Sequence, residues 1–101
     1  MLYMVTMTGL NRQTGEIVNL VKVGRTQDFM HRVVAYIVHN PLAEWVGHKA
    51  GYKKGEVKAH EQMKRYGCKP YKRSVKSEWM KLPEGMTAED LAKKMHFIPF
   101  E

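Results

Sequence analysis

The sequence predicts one small α+β domain, spanning residues 1–101, in which an antiparallel three-stranded sheet is flanked by helices. Three observations lead there. Two runs rich in β-favouring residues, 2–8 (LYMVTMT) and 17–23 (IVNLVKV), are separated by a turn-rich stretch. Across residues 29–38, Phe29, Met30, Val33, Val34, Ile37 and Val38 recur as pairs every four residues, the pattern of an amphipathic helix. The chain has 101 residues, of which 44% are hydrophobic, enough for one core and too few for two domains.

Each element has its local reason. Residues 9–16 (GLNRQTGE) carry two glycines with Asn and Thr, so the first two strands form a hairpin with a long turn. The second run ends at Gly24. Thr26 or Asp28 caps the helix that follows, and Asn40-Pro41 ends it. Residues 42–51, with Trp45 and Val46, give the third strand. Residues 56–66 (EVKAHEQMKRY), bounded by Gly55 and Gly67, read as a helix of thin apolar content with a face left for solvent or a ligand. Residues 67–76 read as a basic loop and 77–82 as a short edge strand. A T-A-E-D start predicts a final helix at about 87–96, outside a core of about 2–82.

Charge narrows the function. The net charge is +7, and its distribution is uneven: +1 over residues 1–47, +8 over 48–81 and −2 over 82–101. A concentrated basic block favours a polyanion, nucleic acid first, over a merely solvated lysine face. The single cysteine, Cys68, excludes an internal disulfide and a Cys-rich zinc site and suits a reducing cytoplasm. The first residues lack the basic stretch of a secretory signal, and no run approaches the 18 or so apolar residues of a membrane span. No histidine pair has the H-E-x-x-H spacing, and no P-loop is present.

Several residues stand out for chemistry. Gly24 lies where the second strand hands over to the helix, a place where backbone can approach a phosphate. Arg25, Arg32 and Tyr36 follow at spacings of seven and four, along one helical stripe, either as a phosphate-holding edge or as a solvated one. Lys22 shares a strand face with Val18 and Leu20; it either snorkels outward or marks a site mouth. Tyr3 alternates with Val5 and Met7, as a core aromatic or as a proton acceptor. Glu61, one of two acids among the lysines of 48–76, is either salt-bridged or the lone carboxylate ligand of a hydrated Mg²⁺. His60 beside it points elsewhere, toward solvent.

Taken together, these positions resemble the GIY-YIG nuclease superfamily, over about residues 2–82. L-Y-M at the start is similar to the first signature, with Tyr3 at its tyrosine, and K-V-G at 22–24 to the second. Arg32 falls at the helix arginine, Tyr36 at a position commonly Tyr or His, and Glu61 on the helix of the metal-binding glutamate. S-E-W-M at 77–80 is similar to a compact branch common in phages. Lys22 replaces the second signature's tyrosine, as in some restriction-enzyme members, and the hairpin loop is longer than usual.

The resemblance implies a metal-dependent endonuclease acting on nucleic acid, double-stranded DNA first, in the host cytoplasm if phage-encoded. Glu61 would hold one Mg²⁺ or Mn²⁺, Tyr3 would accept a proton, and Arg32 with Arg25 would stabilise transition-state charge. Lys49, Lys53, Lys54, Lys58, Lys64, Arg65, Lys69 and Arg73 would track the phosphate backbone. Specificity would come from this fold, a homodimer or a partner protein. The alternative is a catalytically degenerate basic domain that binds nucleic acid or an acidic host protein without cleaving.

Overall fold

A computed structural model describes residues 1–10, 13–25, 44–51, 53–71 and 79–99. The expected helix over 29–38, and with it Arg32 and Tyr36, lies outside the described residues, as does Arg73. In chain order the elements are β1 (Leu2–Leu10), β2 (Ile17–Arg25), β3 (Glu44–Lys49), α1 (Lys53–Arg65), β4 (Lys69–Pro70), β5 (Met80–Lys81), α2 (Ala88–Lys94) and β6 (Ile98–Pro99). The α+β class stands, but the sheet is wider than the three strands expected. Among the described residues six strands lie in the order β4-β5-β2-β1-β3-β6. The three additions are two residues long; β5 falls within the short strand expected at 77–82, while β4 and β6 are too short for alternation to reveal them in sequence.

β1 and β2 pair antiparallel without interruption from Leu2↔Arg25 to Leu10↔Ile17. The turn is therefore shorter than residues 9–16, and β2 runs through Gly24 rather than stopping there. Gly24 lies opposite Tyr3, and a Cβ at Gly24 would fall on the Tyr3 phenol. The missing side chain is thus a seat for the ring, which is why a glycine stays inside this strand. β5 is also not an edge: β2 flanks it on one side and β4 on the other.

Register sorts the side chains into two faces. Leu2, Met4, Val21 and Val23 join Val46, Ala59, Met63, Leu91, Ala92 and Met95 in one buried cluster, so both described helices cover the same side of the sheet. Tyr3, Val5, Val18 and Leu20 are buried on the opposite face. Both helix ends follow from local chemistry. At the end of α1, Gly67 adopts φ +99° while Cys68 N–H donates to Met63 O and Gly67 N–H to Lys64 O. α2 starts in the capping box expected of T-A-E-D, with Thr87 and Asp90 exchanging side-chain-to-backbone bonds. No helix among the described residues is long and apolar enough to cross a membrane.

Candidate functional site

Helical geometry decides what α1 presents to the sheet. Only Ala59 and Met63 of this helix are buried. At 3.6 residues per turn, Glu56 sits about 20° and His60 about 60° from Met63, whereas Glu61 sits about 160° away. The inner stripe therefore carries Glu56 and His60 onto the end of β2, and Glu61 stands exposed on the opposite side.

The observed bonds agree with that geometry. Arg25, the last residue of β2, reaches Glu56 with Nε to Oε2 at 3.8 Å. Its side chain is 44% exposed and that of Glu56 20%, so the pair is accessible and worth at most about 1 kcal/mol. His60 Nε2 donates to the Val23 carbonyl at 3.0 Å. β5 pairs with β2 only at Leu20 and Val21, so this bond ties α1 to the strand beyond the reach of β5. His60 is accordingly half-buried and not turned to solvent, because it shares the stripe of Ala59 and Met63. Arg25 belongs to a strand and not to the helical stripe expected for it. Glu56 occupies the first turn of α1, where a negative side chain complements the helix dipole. Glu56 and His60 are the two site residues that composition did not single out; their i, i+4 spacing around Ala59 and Met63 was the available signal.

The signature positions lie on the other face at the same end of the hairpin. Tyr3 is 1% exposed, rests on Gly24 and packs against Trp45 with ring centroids 5.0 Å apart. Lys22 lies opposite Val5, half-buried on the face of Val18 and Leu20, as alternation predicts. The structure therefore brings Tyr3, Lys22 and Gly24 together, and brings Arg25 to Glu56 across the strand from them. It does not bring Glu61 to either group.

The expected phosphate-tracking residues divide as well. Lys53, Lys54, Lys58, Lys64, Arg65 and Lys69 are exposed. Lys49 instead points inward: its Nζ donates to Met95 O at 2.9 Å and lies 4.8 Å from the centre of the Phe97 ring. Burial lowers its pKa, and the carbonyl it meets closes the C-terminal end of α2. A depression of about 780 Å³ lined by Glu16, Asn19, Lys69, Lys81, Glu84 and Thr87 includes neither Arg25 nor Glu56.

No group of three or more His, Cys, Asp or Glu side chains comes together among the described residues. A single carboxylate suits Mg²⁺ or Mn²⁺, which retain water and accept one or two carboxylates, and does not suit a structural zinc. Comparison of the chain with protein-family models, with curated proteins and with solved structures gives no match in any of the three.

Proposed function

We propose that the chain is a small GIY-YIG-like nuclease that binds nucleic acid, double-stranded DNA first, and hydrolyses a phosphodiester at the end of β2. The observation that carries this reading is the meeting of Arg25 with Glu56, beside Gly24, on a helix whose outer face is cationic. The exposed lysines and Arg65 of α1 hold the phosphate backbone through charge alone, giving a salt-sensitive, largely sequence-independent grip.

Glu56 is the carboxylate that would hold Mg²⁺ or Mn²⁺. When bound, that cation polarises the scissile phosphate and stabilises the leaving oxygen. Arg25 takes up the negative charge that builds on the phosphoryl oxygens. His60, fixed by its bond to Val23 O, keeps Nδ1 as the basic nitrogen one turn from Glu56 and accepts the proton of the attacking water. Tyr3 serves as the wedge that holds β1 against β2.

The burial of Tyr3, together with lysine at position 22, favours a second reading in which the same surface binds nucleic acid without cutting it. Incubation of supercoiled plasmid with Mg²⁺ or Mn²⁺ separates the two. Nuclease action gives nicked or linear product, reduced about 100-fold by Glu56→Gln and little changed by Glu61→Gln. Retention of intact plasmid with both metals replaces this function by binding alone.

A further inference from the structure

We infer that Arg25 gates Glu56. In the free protein the guanidinium engages the carboxylate, and a phosphodiester arriving at the end of β2 draws it away. A divalent cation therefore binds the free protein weakly and the nucleic-acid complex more tightly. The proposal rests on the function put forward above and adds an order to its binding steps.

Three features carry it. The ion pair brings Nε to Oε2 at 3.8 Å, the long end of such pairs and beyond hydrogen-bond distance, so it is readily exchanged. A phosphate offers a guanidinium two parallel charge-assisted hydrogen bonds, a better match than one distant carboxylate oxygen. The two partners also differ in freedom. The Arg25 side chain is 44% exposed at a strand terminus, while that of Glu56 is 20% exposed on a helix tied to β2 by His60. The guanidinium can swing out to a ligand while the carboxylate stays in place.

Linkage then fixes the consequences. A cation and Arg25 compete for one carboxylate, and whatever removes Arg25 favours the cation; by reciprocity, the cation releases Arg25 for phosphate. An accessible pair of this kind limits the gating to about two- to five-fold in metal affinity.

The test uses the full chain and Mn²⁺, with free Mn²⁺ followed by electron paramagnetic resonance. Measurements are made without DNA and with a duplex whose phosphorothioate linkages resist cleavage. Without DNA, Arg25→Gln should tighten Mn²⁺ binding about two- to five-fold, whereas Lys93→Gln, removing an exposed charge from the last turn of α2, should shift it less than about 1.5-fold. With the duplex, the wild-type chain should gain more metal affinity than Arg25→Gln does. Unchanged or weaker Mn²⁺ binding in Arg25→Gln overturns the gate, and so does an equal gain from Lys93→Gln. Failure of the site itself looks different: Glu56→Gln then binds Mn²⁺ like the wild type, whatever Arg25 does.

Discussion

The two faces of α1 carry the same kinds of residue to opposite ends. Inward, Glu56, Ala59, His60 and Met63 meet the sheet, and the acid among them finds Arg25. Outward, Lys54, Lys58, Glu61 and Arg65 stand exposed, and the acid there sits within a cationic stripe. The two carboxylates are close neighbours along the chain, but about 140° separates them around the helix. Charge density reports only that this helix is cationic; periodicity reports which carboxylate lies where a strand delivers an arginine.

The largest effect that sharpens this contrast is on stability. Met63 is fully buried, so Met63→Ala should destabilise the fold by about 2–5 kcal/mol, while Lys58→Ala on the outer face should stay within about 0.5 kcal/mol. Urea unfolding of both variants checks it. A comparable destabilisation by Lys58→Ala would mean that the outer face is packed, and the contrast would collapse.

A smaller effect should appear in nucleic-acid affinity. Replacing Lys54, Lys58 or Arg65 by Gln should each lower the salt slope of DNA binding by about one unit, as one fewer phosphate is neutralised. Glu61→Gln should tighten binding by removing an anion from the same stripe. Lys49→Gln should leave the slope unchanged, since that ammonium is directed to Met95 O. Fluorescence anisotropy across a salt series reads all of these.

The smallest effect concerns Cys68, whose backbone N–H bonds to Met63 O at the end of the inner stripe. Burial pushes its thiol up from 9.0 to about 11. The folded chain holds this proton more tightly than the unfolded one. The thiol's contribution to stability is thus intact below about pH 9 and fades as pH rises toward 11. Iodoacetamide at pH 8 should leave the native chain unmodified and label it once unfolded, as mass spectrometry would show.

Much of the fold was legible because its signals are local. The β1–β2 hairpin followed from β-branched runs, and the last helix from T-A-E-D. Gly24 misled because glycine ordinarily ends a strand; here the ring of Tyr3, reaching across the hairpin, fills the space. Of the flanking strands, β5 fell within the short strand expected at 77–82, while β4 and β6 were hidden because two residues hold no pattern and their pairing depends on distant partners. At the site, the arginine at 25 and the helix bearing the acid were visible in sequence. That Glu56, and not Glu61, meets Arg25 could be read only by knowing that Ala59 and Met63, a sparse pair, define the buried side.

The short outer strands also have a consequence for the chain's behaviour in a crowd. Among the described residues, both edges of the sheet, β4 and β6, are two residues long, and each contains a proline, Pro70 and Pro99. A proline offers no N–H to a newcomer, and two residues give little length to copy. The outermost described borders of the sheet therefore offer a newcomer little to pair with, although the hairpin at its centre is strongly β-prone.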